Sequence, residues 1–205
     1  MLNTLQAVLS FMVPAAVMAG AASVTTSATT LDNLQTAFNG ESNANNRCLI
    51  FAKKADEEGY GEVASLFRAA AKAEEIHASN HAAVIRQMGA APVAHIEDTI
   101  VKSTRENLRV AIEGETYERD IMYPEFIEIA KREKATAALR SFTFAWKVEA
   151  VHAVLYGDAL ANLDKLRGKS HTYYVCPDCG NTLAELNILN CLVCGHPKSG
   201  FIAVD

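Results

Sequence analysis

The chain has few of the residues that mark a nucleic-acid-binding protein. Across its 205 residues the formal net charge is -5, and no Lys or Arg occurs before Arg47. Because the neutralisation of phosphates needs grouped basic side chains, this charge pattern argues against nucleic acid as a partner. The sequence also lacks a Gly-x-Gly-x-x-Gly pattern, which is the motif that would bind a dinucleotide.

Proline and glycine are scarce through the middle of the chain. Ala, Leu and Glu are abundant there, and 50% of all residues are hydrophobic. This composition predicts a mainly α-helical globular protein. Caps, periodicity and breakers predict four long helices, with a long crossover between the second and the third. Their expected limits are residues 30–58, 62–88, 103–133 and 136–166. Pro124 is expected to bend the third helix, because its ring removes a backbone hydrogen bond.

Residues 5–22 form an apolar run that is interrupted only by Gln6, Ser10 and Pro14. A membrane span needs ~20 apolar residues, so this run is short for one. A secretory signal has a positively charged start, which is missing here. We therefore expect residues 1–30 to be an N-terminal extension that packs on the bundle or on a partner subunit of a cytoplasmic protein. Export or membrane association through residues 1–22 is the alternative.

The two halves of the chain repeat a pattern in which a Gly-Glu pair is followed by Glu-x-x-His. The two Glu positions are 33 residues apart in the first half and 34 in the second. Since side chains three positions apart lie on one face of a helix, each Glu-x-x-His offers an oxygen and a nitrogen to the same point. A single copy is commonly a solvated surface, but two matched copies predict a dinuclear metal site inside a four-helix bundle. The predicted ligands are Glu41, Glu74, His77, Glu115, Glu149 and His152.

Four of the five cysteines form two Cys-x-x-Cys pairs near the end of the chain, at Cys176, Cys179, Cys191 and Cys194. This spacing predicts tetrahedral coordination of one iron or zinc ion. A glycine follows each pair, and its positive φ would close a knuckle around the sulfurs. The lone thiol, Cys48, suits a reducing compartment. A segment of roughly thirty-five residues buries too little apolar surface to fold alone, so we expect the ion to be structural whatever else it does.

The order of these motifs resembles that of rubrerythrin, from about Leu31 to the end of the chain. The resemblance implies a ferritin-like di-iron four-helix bundle at residues 31–167. It also implies a rubredoxin-like domain with an iron ion held by four thiolates, after a linker, at residues 168–205. The implied activity is the reduction of hydrogen peroxide to water. Carried over by position, Glu74 and Glu149 bridge the two irons, Glu41 and Glu115 are terminal ligands, and His152 binds the second iron.

The same resemblance implies a ligand exchange at one iron. Glu115 is followed three positions later by Glu118, whereas Glu41 is followed by Ala44. In rubrerythrins the additional carboxylate and the histidine of the first half compete for one iron as its oxidation state changes. The competitors here would be Glu118 and His77. Fe(III) prefers an anionic oxygen and Fe(II) accepts an imidazole readily.

Two further positions are defined by comparison with this family. Tyr123 matches a tyrosine near the metals, and Cys48 stands where the family usually has another. We expect Cys48 to be an inert core residue, with an oxidisable thiol as the alternative. His81 is expected to be a polar helix contact.

The implied partners are hydrogen peroxide, an electron donor such as rubredoxin or an NAD(P)H-dependent reductase, and a second copy in a homodimer. Electrons in the family commonly pass between the subunits of a head-to-tail dimer. Two alternatives remain from the sequence. One is a ferroxidase that reduces dioxygen, and the other is a metal-storage or docking module with zinc in the four-cysteine site.

Overall fold

A computed structural model describes residues 28–205, so nearly all of the predicted N-terminal extension lies outside the described residues. Within the described range, the long helices are α1 Thr30–Glu57, α2 Gly61–Gln87, α3 Thr104–Tyr117, α4 Tyr123–Arg132 and α5 Thr136–Ala161. The π-helical segment Glu118–Met122 joins α3 to α4, so these two elements act as one helix of a four-helix bundle. None of the described helices is long and apolar enough to cross a membrane.

A small antiparallel sheet follows the bundle. Its strands are β1 Tyr173–Val175, β2 Thr182–Leu183 and β3 Ile202–Val204, in the order β2-β1-β3. Short 3₁₀ turns lie at Leu163–Lys165 and Lys198–Gly200. The predicted fold class, a helical bundle with a small C-terminal four-cysteine domain, is confirmed, whereas the predicted domain limits stay a prediction.

The helix ends follow the expected chemistry. Thr29 caps α1 in a capping box with Asp32, and Ser103 does the same for α3 with Glu106. In each box the cap hydroxyl accepts a hydrogen bond from a backbone N–H in the first turn, and the carboxylate accepts one from the backbone N–H of the cap residue. Two backbone donors at the start of the helix are therefore satisfied. The last helix is shorter than predicted, because α5 ends at Ala161 and the chain continues as a 3₁₀ turn.

The crossover between α2 and α3 is an extended segment held on the outer face of α1. Gln35, Asn39 and Asn43 lie at successive helical turns, and their amides bond the backbone at Ala91, Val93, His95 and Glu97. Every second residue from Ala91 to Glu97 is therefore bonded to a side-chain amide of the helix. This amide ladder explains how a connection without secondary structure keeps a defined path.

The π-helical segment lies where the sequence predicted a bend at Pro124. The backbone N–H of Tyr123 bonds to the carbonyl of Glu118, five residues earlier. Pro124 lacks an N–H and cannot continue the regular ladder, so the register shifts just before it. Such bulges often lie at functional sites, and here the bulge begins at a predicted metal ligand.

Two apolar layers enclose the middle of the bundle. One layer contains Leu34, Ile85 and Phe142. The other contains Phe51 and Phe67 and continues into the sheet through Tyr173 and Val175. The four-cysteine domain therefore shares a core with the bundle and does not hang free on its linker. The repeated spacing of the Glu-x-x-His pairs places them between the two layers.

We predict that Gly61→Ala destabilises the chain by about 1–3 kcal/mol, the usual cost of overpacking. An added Cβ at Gly61 meets the linker backbone, including the Gly168 carbonyl oxygen and, at 2.9 Å, the carbonyl carbon of Lys169. Gly157→Ala is the control, since a Cβ there meets no atom of residues 28–205 within 4 Å and the helix gains about 0.5–1 kcal/mol. Urea unfolding of both variants measures the difference, and equal stability would contradict this account of the linker.

Candidate metal centres

Four helices bring two overlapping groups of metal-binding side chains together. The first group is Glu41, Glu74, His77 and Glu149, and the second is Glu74, Glu115, Glu149 and His152. Within each group, one donor atom from every residue lies within 4.8 Å of the others. Glu74 and Glu149 belong to both groups, which is the arrangement expected of carboxylates that bridge two ions. All six predicted ligands from the two repeats therefore converge.

The distances support this sharing. His77 Nδ1 lies 2.9 Å from Glu74 Oε2 and 2.9 Å from Glu149 Oε1. His152 Nδ1 lies 3.2 Å from Glu74 Oε1 and 3.0 Å from Glu149 Oε2. Each of the two carboxylates thus turns one oxygen toward each imidazole. The terminal candidates are farther away, with Glu41 Oε1 3.7 Å from His77 Nδ1 and Glu115 Oε1 3.8 Å from His152 Nδ1.

The donor set fits a pair of cations. These side chains are buried, and several of their polar atoms form no hydrogen bond within the described part of the chain. The unpaired atoms are Glu41 Oε2, both oxygens of Glu74, His77 Nδ1 and Glu149 Oε1. A buried charge or polar atom without a partner is costly. The four carboxylates of the two groups carry four negative charges when ionised, which two divalent cations would cancel.

The pKa shifts describe the same crowding. Burial and the charge of Glu74 raise the pKa of Glu41 to about 8. The pKa of Glu115 is raised by burial and by Glu149. Burial opposes ionisation of Glu74 as well, but the two histidines hold the pKa of Glu74 below its usual value. The carboxyl groups without a histidine in close contact therefore take up protons, and bound metal would displace those protons.

Glu118 lies beside the site but in neither ligand group. It is half-buried and is the first residue of the π-helical segment. Burial and the neighbouring carboxylates of Glu41 and Glu149 raise its pKa well above the usual value. Glu115 and Glu118 also line a narrow cavity between α1 and α3, together with Cys48. The predicted role of Glu118 as a metal ligand stays a prediction.

Each site histidine is oriented by the four-cysteine domain. His77 Nε2 lies 3.0 Å from the backbone carbonyl oxygen of Cys179, and His152 Nε2 lies 3.1 Å from Thr182 Oγ1. Because a carbonyl only accepts, His77 must donate from Nε2, which leaves Nδ1 free to bind a metal. Sequence reasoning missed both contacts, since nothing in the spacing pairs residues that are 102 positions apart, as His77 and Cys179 are, or 30 apart, as His152 and Thr182 are.

Two phenols flank the site on different helices. The Tyr123 hydroxyl donates to Glu41 and lies 3.1 Å from His81 Nε2. The Tyr156 hydroxyl lies 3.4 Å from Cys48 Sγ. Tyr156 was not predicted, although it follows His152 by four residues as His81 follows His77. That repeated spacing is the sequence feature that could have identified Tyr156. His81 is more than the polar helix contact that the sequence predicted, because it joins Tyr123 to Ser141.

The four predicted cysteines form a compact cluster with all sulfurs within 4.8 Å of one another. Two pairs of sulfurs, Cys176 with Cys194 and Cys179 with Cys191, each lie 3.5 Å apart. Tetrahedral bonds of about 2.3 Å place sulfurs about 3.8 Å apart, so the cluster fits one ion. The predicted knuckles are confirmed. Gly180 and Gly195 have φ of 78° and 85°, and each donates to the carbonyl of the first cysteine of its pair.

Thiol ionisation also favours a cation in this cluster. Hydrogen bonds from Cys179 and from backbone N–H groups lower the pKa of Cys176 to about 5. Burial raises the pKa of Cys194 to about 12, and the neighbouring Cys176 raises that of Cys179 further. Without an ion, Cys176 therefore ionises readily, whereas Cys179 and Cys194 keep their protons. A bound metal draws all four to the ionised state.

A four-helix bundle with a shared carboxylate and histidine site, followed by a four-thiolate cluster, defines the class of ferritin-like dinuclear metalloproteins with a second metal centre. The chain belongs to the rubrerythrin family, whose family model matches residues 32–160. It is 37% identical to rubrerythrin-2 of Clostridium acetobutylicum over 182 residues, which is 86% of this chain and 97% of that protein.

Nigerythrin of Nitratidesulfovibrio vulgaris is also similar, with 36% identity over 182 residues, 85% of this chain and 86% of that protein. The fully reduced, all-ferrous structure of nigerythrin superposes with a TM-score of 0.80 at 35% identity, covering 90% of this chain and 91% of that one. The bacterioferritin of Desulfovibrio desulfuricans shares the bundle fold alone, with a TM-score of 0.64 at 21% identity, covering 69% and 88% of the two chains. The predicted di-iron and four-cysteine centres are thus supported by the relatives as well as by the geometry.

We predict that Glu74→Ala abolishes loading of both dinuclear ions, because Glu74 belongs to both ligand groups. Glu41→Ala removes a donor from one group only, so this variant should keep one ion at that centre. Metal analysis per chain measures the difference, and the four-cysteine iron serves as an internal standard. Equal losses in the two variants would show that Glu74 does not bridge.

Proposed function

We propose that this chain is a di-iron peroxidase that reduces hydrogen peroxide to water with electrons that pass through the four-cysteine iron. The observation that carries this proposal is the contact between Cys179 and His77. Cys179 supplies a sulfur to the four-thiolate cluster, and its carbonyl oxygen lies 3.0 Å from His77 Nε2 in the dinuclear centre. A bundle that only stored metal would have no use for this link.

The overall reaction consumes one peroxide, two electrons and two protons and gives two waters. When bound, two adjacent ferrous ions supply both electrons to the O–O bond, and the thiolate-bound iron supplies single electrons for the next turnover. Glu74 and Glu149 would hold the two ions together. Glu118 lies beside the site but outside both ligand groups, so it would be available as the carboxylate that competes with His77.

Access from solvent also favours a small substrate. The cavity that reaches Glu115 and Glu118 is about 10 Å³, which holds one water-sized molecule. Its other lining residues are Ala44, Arg47, Cys48, Ala111 and Gly114. Small side chains line most of this route, and the cysteine at position 48 occupies less space than the tyrosine that the family resemblance implies. We infer that peroxide enters between α1 and α3.

Electrons would reach the dinuclear centre from the opposite side of the bundle. The knuckle that contains Cys179 and Gly180 packs against α2, and Asn80 Nδ2 donates to the carbonyl of Asp178 at 2.9 Å. This contact lies within one chain. The family resemblance implied transfer between the subunits of a head-to-tail dimer, whereas the observed contact supports transfer within a chain. A homodimer, and rubredoxin or an NAD(P)H-dependent reductase as the donor, remain part of the proposal.

A stopped-flow comparison tests the proposed reaction. We expect the fully reduced protein to be reoxidised faster by peroxide than by dioxygen. We also expect Glu118→Ala to slow the peroxide reaction by roughly 10–100-fold while two irons stay bound, because the exchanging carboxylate is lost. Glu113→Ala is the control, since Glu113 is an exposed residue of the same helix.

Faster reoxidation by dioxygen would indicate a ferroxidase. A colourless protein with one zinc in the four-cysteine site would indicate the storage or docking module. An unchanged peroxide rate in Glu118→Ala would remove the proposed ligand exchange.

The two knuckle glycines provide a matched pair of variants for the electron route. An added Cβ at Gly180 would lie 2.7 Å from His77 Nε2, whereas one at Gly195 meets nothing within 4 Å in the described part of the chain. Both glycines have positive φ, so both alanine variants carry a similar backbone strain of about 1–2 kcal/mol. We predict that only Gly180→Ala slows electron transfer from the four-thiolate iron after a peroxide pulse. Equal rates in the two variants would contradict a route through this contact.

A further inference from the structure

A line of buried hydrogen bonds connects Glu41 to the surface through residues that the proposed function has not used. Ser141 Oγ lies 2.8 Å from His81 Nδ1, and His81 Nε2 lies 3.1 Å from the Tyr123 hydroxyl. The Tyr123 hydroxyl donates to Glu41 Oε1. His81 and Tyr123 are fully buried, and Ser141 is 6% exposed. The line therefore crosses the bundle from α5 through α2 and α4 to α1.

The donors in this line all point toward the metal site. When bound metal has displaced the proton of Glu41, this carboxylate can only accept, so the one hydroxyl hydrogen of Tyr123 is used on Glu41. The phenol oxygen can therefore only accept from His81, so His81 carries its hydrogen on Nε2. A neutral imidazole protonated there has a bare Nδ1, which accepts from the Ser141 hydroxyl. Each member thus donates to the next one inward, which is the orientation that passes a proton from Ser141 to Glu41.

The outer end of the line opens on solvent. A cavity of about 200 Å³ lies between α2 and α5, and its wall includes Ser141, Asn80, Gln87 and Arg140. Farther in, the ring of Phe142 packs 5.5 Å from that of His81 and 6.1 Å from that of Tyr123, measured between centroids. The line therefore reaches an open cavity at one end, and the ring of Phe142 shields it farther in. The proposed peroxide route lies between α1 and α3, on the other side of the bundle.

We propose that Ser141, His81 and Tyr123 form a proton inlet that supplies the protons consumed in peroxide reduction. This inference rests on the proposed function, in which each turnover takes up two protons. For each proton, Ser141 gains one from solvent and gives one to His81 Nδ1. His81 gives its Nε2 proton to Tyr123, and Tyr123 gives its own to Glu41. Glu41 passes this proton to the oxygen released from the O–O bond.

Each relay member starts and ends neutral in this sequence. Rotation of the two hydroxyls and exchange of the imidazole tautomer restore the starting arrangement. Ser141, His81 and Tyr123 act through Glu41 and are therefore positioning residues for the proton.

Ser141→Ala tests the inlet without changing any residue that touches Glu41. We expect kcat with peroxide to fall about tenfold or more and the solvent deuterium isotope effect on kcat to rise, because proton delivery becomes limiting. Iron content and anaerobic reduction should not change. Ser141→Thr keeps the hydroxyl and should restore both readouts. Thr143→Ala is the matched control, since its hydroxyl bonds the Leu139 carbonyl on the same helix.

A second readout does not depend on turnover. Nitrogen NMR of the imidazoles in zinc-loaded full-length protein should show His81 as the neutral Nε2–H tautomer. In Ser141→Ala the Nδ1 resonance should shift, because it loses its hydrogen-bond donor. An Nδ1–H tautomer in the wild type would overturn the inlet, and so would an unchanged kcat and isotope effect in Ser141→Ala. If the wild type does not reduce peroxide, the proposed function is wrong. The His81 tautomer then still shows whether the hydrogen bonds are oriented toward Glu41.

Discussion

The burial of four carboxylates between two apolar layers is the constraint on which the rest of this structure depends. Glu41, Glu74, Glu115 and Glu149 lie at the same depth of the bundle, and the imidazoles of His77 and His152 face them. Like charges in such an environment repel one another strongly, because burial removes them from the screening of bulk solvent. The arrangement is therefore stable only with counter-charges inside it, either protons or cations. The apolar layers on both sides supply the folding energy that holds the helices together around this polar middle.

Much of this could be predicted from the sequence, because the informative features are local. Glu-x-x-His places two donors on one helical face, and its repetition at equal spacing places two such faces opposite each other. The Cys-x-x-Cys-Gly pairs are equally local, so their knuckles and the positive φ of Gly180 followed from residue type alone. The caps at Thr29 and Ser103 belong to the same class, since a capping box lies within four residues.

The features that could not be predicted depend on tertiary contacts, which have no signature in the local sequence. The Cys179 carbonyl meets His77 through packing of two domains, and a backbone carbonyl has no sequence signature. Tyr156 had a local signal in its spacing from His152, but its contact with Cys48 on another helix had none. The π-helical segment was predicted as a bend, because a proline indicates a lost hydrogen bond but not how the helix absorbs it.

The positions of these contacts suggest separate routes to the dinuclear centre for electrons, protons and peroxide. The four-cysteine domain covers the seam between α2 and α5 and touches both site histidines, and the Ser141 cavity opens on the same seam. The narrow cavity beside Glu118 opens between α1 and α3. Electrons and protons would then arrive from one side while the oxidant arrives from the other. In this arrangement the four-cysteine domain can stay docked throughout turnover, since it does not lie across the route of peroxide.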